Sequence, residues 1–236
     1  MYLKKIDLQI LLPVYNEAKH IEKTLDEIHL NLKNKINYQF IISEDGSTDG
    51  TKAILNKIKN KYGFILISDK LRKGYSNAVM DGMKIASKDY LMILDSDGQC
   101  DPSEICKFWV HRKNFDIISG NRINRKDFMY RKIFSQIAFL IYSLLFNVPL
   151  KDPSYACSLM NKRVYTSLRG YKVLCEYGFF WEFNARARKK KFTFKQLNVK
   201  HKFRKEGYTK IYLFRNLPVI AIKHLWAFIK IRFFIK

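Results

Sequence analysis

The stretch Leu94–Pro102, LDSDGQCDP, sets Asp95, Asp97 and Gln99 at alternate positions at the end of an apolar run. All three side chains are oxygen donors. Mg2+ and Mn2+ take such hard ligands, and Mg2+ commonly uses one or two carboxylates together with substrate phosphates. In a chain with 44 Lys/Arg against 21 Asp/Glu, a pair of acids here points to phosphate chemistry at a divalent cation. Asp also starts turns, so the reading depends on where the pair sits. Three further clusters could join it. SEDGSTDGT offers Glu44 and Asp45, whose carboxylates can accept from a base N–H or ribose hydroxyls. PVYNE offers the Tyr15 ring for base stacking and Glu17 for polar contacts. LRKGYSNA offers Arg72 and Lys73 for a diphosphate, with Gly74 as a helix C-cap or close-approach residue.

The elements that must position these residues can be read from hydrophobic periodicity. DLQILLPVYNE predicts a buried strand stopped by Pro13. Ile21, Leu25, Ile28 and Leu32 then recur at the spacing of a helix stripe. NYQFIISEDGSTDGT predicts a second strand running into a turn, and Asp49 or Thr51 could cap the next helix, which ends at Gly63. FILISD, GYSNAVMDGMKIAS and DYLMILDSD predict a third strand, a third helix and a fourth strand. This alternation predicts an α/β fold with a parallel sheet and helical crossovers. Ligands of such sheets bind beyond the carboxyl ends of the strands, and PVYNE, SEDGSTDG and DSDGQ all fall there. SEICKFWVHRKNF continues as a helix and DIISGNRIN as a strand.

The character then changes. Residues 133–150 carry no charge, yet Gln136, Asn147 and Pro149 weaken a spanning helix. Eighteen residues at about 1.5 Å each would barely cross about 30 Å of hydrocarbon. A helix lying at a membrane surface or in a hydrophobic groove and an ordinary buried helix both fit. Residues 186–236 hold 16 Lys/Arg and one acid, Glu206. In 211–236 large apolar and aromatic residues alternate with Arg215, Lys223, Lys230, Arg232 and Lys236, which suits an interfacial helix facing anionic lipid. The expected division is residues 1–205 as one catalytic domain and 206–236 as a basic amphipathic membrane-interface segment. Cys100, Cys106, Cys157 and Cys175 show no metal-binding spacing and read as reduced thiols. The N-terminus has no signal-peptide pattern, so the expected location is the cytoplasmic side of the membrane, peripheral or monotopic.

The ordered set PVYNE, EDGSTDGT, GYSNAVMDGMKIA and YLMILDSDGQCDP resembles the inverting glycosyltransferases of family 2, with their GT-A (Rossmann-like) nucleotide-sugar fold. SGNRIN, RKIFSQIA, KDPSYACSLMNKRV, FWEFNARARKKKF and FRKEGYTK look like blocks of the dolichyl-phosphate mannosyltransferase and polyprenyl-phosphate glycosyltransferase group. The resemblance implies that Asp95, Asp97 and Gln99 bind Mg2+ or Mn2+, and that Pro13, Tyr15, Glu17 and Asp45 face the nucleotide. It implies that Arg122, Arg131 and Ser135 face an acceptor phosphate, and that Arg204 and Lys210 serve phosphates near the active site. Glu44 stands where that family commonly has Asp, and SYACSLM departs from its usual loop.

The implied reaction is transfer of a hexose from a nucleotide-diphosphate sugar to a polyprenyl phosphate. A lipid phosphate has a second pKa near about 6 and needs cationic positioning, for which Arg122, Arg131 and Arg204 are suited, but no base. A saccharide acceptor would need one, and Glu182 is then the candidate; its alternative is a buried helix residue paired with Arg186 or Arg188. A family 2 enzyme building a surface glycan is the nearest rival. A nucleotidyltransferase would show a Gly-rich, Arg-bearing loop after the first strand, and LLPVYNEAKH has none. The formal charge of +23 motivates a nucleic-acid-binding alternative, but no zinc finger, RNP pattern or helix-turn-helix accompanies it, so no nucleic-acid partner is expected.

Overall fold

A computed structural model describes residues 7–123, 129–175, 178–200 and 217–235; the side chains of 129–134, 217 and 218 lie outside the description. The N-terminal part alternates as the apolar periodicity requires: β1 Leu8–Val14, α1 Ile21–Leu32, β2 Tyr38–Glu44, α2 Thr51–Tyr62, β3 Ile65–Ser68, α3 Tyr75–Ile85 and β4 Tyr90–Leu94. Then come α4 Ile105–His111, β5 Ile117–Arg122, α5 Met129–Phe146, β6 Cys157–Asn161, α6 Lys162–Leu168, α7 Phe179–Lys189, β7 Phe194–Val199 and α8 Leu217–Phe233. The strands form one sheet in the order β3-β2-β1-β4-β6-β5-β7. All neighbours run parallel except β6, which is antiparallel to both β4 and β5. A mostly parallel sheet between helices is the expected GT-A architecture. The inserted antiparallel strand, drawn from SYACSLM, was not foreseen.

Pro13 does not stop the first strand, as periodicity predicted. β1 continues to Val14, with Pro13 opposite Ser43 of β2. Its carbonyl turns the other way, accepting from Ser96 Oγ at 2.9 Å. In a parallel strand a residue's N and C=O face the same side, and pairing to β4 has already ended at Leu11–Ile93. The missing N–H therefore costs no ladder bond.

Two cores sandwich the sheet. Leu8, Ile10, Leu12, Ile42 and Met92 meet α1 and α2 through Leu25, Ile28, Leu32 and Leu55. Leu11, Ile41 and Ile93 face α3, α6 and α7 through Val79, Met83, Val164 and Phe183. Gly82 lets α3 close on β1, since a Cβ there would lie 2.2 Å from Leu11 Cδ1. A third core joins α5, α7 and α8 through Tyr142, Phe146, Trp181, Ala227, Phe228 and Ile231. Lys189 Nζ fastens the end of α8, donating to Ile231 O at 2.8 Å and Arg232 O at 3.2 Å.

Candidate functional site

The polar segments after β1, β2 and β4 converge at the carboxyl ends of the strands, as parallel topology demands. The first two are laced together. Asn16 N donates to Ser47 Oγ at 2.9 Å, Thr48 N to Asn16 Oδ1 at 2.8 Å, and Glu17 N to Thr51 Oγ1 at 3.0 Å. Gly50 occupies the N-cap of α2, while Asp49 accepts from Thr51 N at 3.1 Å and Ala18 N at 3.1 Å. Gly46 has φ +71°, and a Cβ there would lie 2.6 Å from Arg72 N, so the turn after β2 touches the loop before α3.

That contact decides what the acids of β2 do. Asp45 is buried and accepts the N–H groups of Lys73 at 2.6 Å and Gly74 at 2.9 Å. Burial raises its carboxyl above the usual carboxylate range despite both amides. Glu44, expected at the nucleotide, is fully buried. It accepts from Ser47 N and, at 2.9 Å, from Ser68 Oγ, with Lys52 Nζ at 3.6 Å. It shapes the turn and offers no surface to a ligand, which corrects that assignment. Lys73 is exposed, and its ammonium pairs with Asp69 at 2.7 Å and with Asp81. Gly74 sits at the N-cap of α3, not at a C-cap. Pro13 is buried in the strand and serves the frame. Arg72 remains at the mouth, its guanidinium 4.1 Å from the centre of the Tyr15 ring and its Nε 4.0 Å from Asp45. The ring expected to stack a base thus carries a cation that a base would have to share or displace.

The loop after β4 is held from behind by the residue between its two acids. Ser96 Oγ donates to Pro13 O, and Ser96 O accepts from Thr24 Oγ1 at 3.1 Å. Anchoring Ser96 inward leaves Asp95 and Asp97 on the crevice side. Gln99 N donates to Asp97 Oδ1 at 3.0 Å. Tyr75, unmarked by the sequence reading, donates its hydroxyl to Asp95 Oδ1 at 3.0 Å. Asp95 is raised far above an ordinary carboxylate, first by burial and then by the charge of Asp97, with Glu17 adding to it; the Tyr75 bond and Arg122 pull the other way. Two carboxylates whose negative charges oppose each other, with Gln99 following in the same loop, fit a hard divalent cation that would relieve the repulsion. Among the described residues no group of three or more His, Cys, Asp or Glu is arranged to hold a metal, so phosphate oxygens would complete the shell.

Beyond Asp95 lies a cleft of about 160 Å3, lined by Asn121, Arg122, Ser135, Lys151, Asp152 and Trp181 among others. Arg122 at the end of β5 and Ser135 of α5 therefore share one site. The Arg122 fork is already engaged: Nε donates to Asp152 Oδ2 at 2.7 Å, and Nη2 to Asp152 Oδ1 at 3.0 Å and Ser154 Oγ at 3.1 Å. Its guanidinium also stands 4.9 Å from the centre of the Tyr155 ring. The Arg131 side chain, Arg204 and Lys210 lie outside the described residues.

Glu182 is overturned as a base. It is fully buried, accepts from Arg186 Nη2 at 2.7 Å and Nε at 2.9 Å, and accepts the N–H groups of Leu174 and Cys175 at 2.8 Å each. Every lone pair useful for proton transfer is spent on the scaffold.

The sequence profile described as glycosyl transferase family 2 matches residues 9–169, which include the whole acidic crevice. The chain belongs to that family. Membership in a family of glycosyl transferases sets aside the non-enzyme reading. The chain is similar to a dolichol-phosphate mannosyltransferase of Pyrococcus furiosus, 29% identical over 72% of this chain and 51% of that one. It is similar to a poly-beta-1,6-N-acetyl-D-glucosamine synthase of Staphylococcus aureus, 36% identical over 53% of this chain and 31% of that one. It thus spans about half or less of these curated relatives. Glucosyl-3-phosphoglycerate synthase from Mycobacterium tuberculosis, solved with Mn2+, UDP-glucose and phosphoglyceric acid, shares the fold of this family 2 chain. The TM-score is 0.72 at 15% identity, over 95% of this chain and 79% of that one.

Proposed function

We propose that this family 2 chain is an inverting glycosyltransferase moving a hexose from a nucleotide-diphosphate sugar to a polyprenyl phosphate at the cytoplasmic face of a membrane. One observation carries the acceptor: Arg122 and Ser135 line the cleft, and α5, which supplies Ser135, turns Ile137, Leu140 and Leu144 to the outside. An acceptor with an anionic head and an apolar tail needs these two surfaces side by side. The likeness to the dolichol-phosphate mannosyltransferase supports the same acceptor class. The fold shared with a synthase solved with Mn2+ and UDP-glucose supports the donor class and Mg2+ or Mn2+.

Asp95, Asp97 and Gln99 would hold the cation, which supplies electrostatic stabilisation to the leaving diphosphate. Ser96 keeps both acids on the crevice side by its two inward hydrogen bonds. Arg72 adds cationic charge at the mouth. Arg122 orients the acceptor phosphate, which must share the guanidinium with Asp152 or take it over. The acceptor is largely ionised at neutral pH and needs no base, in keeping with the spent carboxylate of Glu182.

The same reading lays α5 and α8 on the bilayer. α8 buries Ile220, Ala227, Phe228 and Ile231 and exposes Ile222, Leu225, Trp226, Ile229 and Phe233 on its other side. Among the described residues no helix is long and apolar enough to cross a membrane. Exposed Lys223 and Arg232 suit anionic headgroups.

The test is transfer from UDP- and GDP-hexoses to a polyprenyl phosphate, run beside free saccharides. The expected outcome is lipid-phosphate product, reduced about 100-fold in Arg122→Ala by loss of a bidentate anion contact. Product on saccharides alone would replace this acceptor with the surface-glycan alternative, which the likeness to the N-acetylglucosamine polymer synthase favours. Flotation with anionic vesicles checks the membrane face; protein left in the soluble fraction counts against it.

A further inference from the structure

We propose that Tyr75 is a positioning residue for Asp95, and that its phenol hydroxyl sets the metal affinity of the crevice. The inference rests on the metal reading above and adds to it a residue outside the acidic motif.

The Asp95 carboxylate lies two residues from Asp97 in the loop after β4, and the Tyr75 hydroxyl stands 3.0 Å from its Oδ1. A carboxylate beside a like-charged neighbour gains by rotating away from it. The Tyr75 hydroxyl opposes that rotation, because a hydrogen bond of 3.0 Å to Oδ1 fixes the rotamer. It uses one lone pair of Oδ1 and leaves the others to a cation.

A donor is useful in this way only if it does not move. Tyr75 is the first residue of α3, and three separate contacts hold that helix start. Asp45 accepts the N–H groups of Lys73 and Gly74 just before it. Ser76 Oγ donates to Cys175 O at 3.0 Å just after it. Cys175 is in turn held by its N–H bond to the buried Glu182. The Tyr75 ring packs against the core formed by Val79, Ile93 and Phe179. Glu182, which sequence alone offered as a base, thus acts at the crevice through the scaffold, by holding the loop on which α3 rests.

Hydrogen-bonding partners of metal ligands typically tune affinity by about 10–100-fold. Tyr75→Phe keeps the ring and removes only the hydroxyl. The experiment titrates the full chain with Mn2+ alone, reading free Mn2+ by electron paramagnetic resonance, with Asp97→Ala in parallel and melting temperatures for each protein. The expected result is binding weakened about 10-fold in Tyr75→Phe and abolished in Asp97→Ala, with the melting temperature of Tyr75→Phe unchanged. Abolished binding in Asp97→Ala with wild-type binding in Tyr75→Phe would overturn the role of Tyr75 and leave the metal site standing. Wild-type Mn2+ binding in both variants would overturn the metal reading, and this proposal with it. A Tyr75→Phe protein that melts lower while binding Mn2+ normally would assign the hydroxyl to folding alone.

Discussion

The crevice after β4 and the junction between the 171–175 loop and α7 both take carboxylates out of water, and they do so in opposite ways. At the junction Glu182 meets a guanidinium and two amides, and Arg186 lies 4.1 Å over the Tyr171 ring. In the crevice Asp95 meets Asp97 and Glu17, and its charge is opposed. A fully compensated buried charge is scaffold; a group of like charges only partly offset, here by Tyr75 and Arg122, is a place for a cation. The difference teaches that burial alone does not mark a site. The balance of charge around the buried acid does.

The largest expected effect tests the crevice side of this contrast. Asp97→Ala should cut transfer by about 1000-fold or more, the scale of losing a main electrostatic stabiliser. Its melting temperature should hold or rise, since a like-charge pair is removed. A variant that loses stability instead would make Asp97 scaffold. The junction should respond the other way. Glu182→Gln leaves Arg186, 9% exposed, without its carboxylate, and should cost about 3 kcal/mol by denaturant titration. Residual folded enzyme should keep its acceptor preference; a changed preference would bring Glu182 back into the reaction.

A third test uses acid on another compensated carboxylate. Burial pushes Asp116 upward, but hydrogen bonds from Thr193 N, Asn161, Arg163 and Thr193 Oγ1 outweigh it and bring the carboxyl down to about 2. The folded value lies below the unfolded value of about 3.9. Its stabilisation, about 2 kcal/mol, is therefore present above pH about 4 and lost between pH about 4 and about 2. Asp116→Asn should remove that part of the acid dependence. The smallest effect concerns α8. Burial lowers His224 to about 4 from its ordinary 6.5. The unfolded chain takes its proton first, so stability falls as pH drops from about 6.5 to about 4. The melting temperature between pH 7 and 5 should vary less in His224→Leu, and an identical slope would deny that this histidine is held neutral beside Gly178.

Much of the fold was legible because apolar spacing reports it directly. The stripe Ile21, Leu25, Ile28 and Leu32 became the buried face of α1, and four strands with crossover helices became the parallel half of the sheet. β6 was not legible. Its five residues carry no alternation that distinguishes an inserted antiparallel strand from a loop. Pro13 misled for a related reason: whether a proline ends a strand depends on which neighbour its nitrogen faces.

By itself the sequence determined that oxygen donors gather beyond the strand ends, because local patterning places strands and turns, and parallel crossovers put every β-to-α turn on one side. Only the tertiary structure decided which acids remain available. Glu44 accepts from Ser68 and Asp45 from the Lys73 and Gly74 amides, partners 24 to 29 residues away, whereas the Glu182–Arg186 pair is local to α7 and was already open from the sequence. Asp95 and Asp97 keep each other's repulsion, and the phenol that steadies Asp95 arrives from another helix. Charge compensation is a sum over neighbours in space, and a linear chain does not contain that sum until it folds.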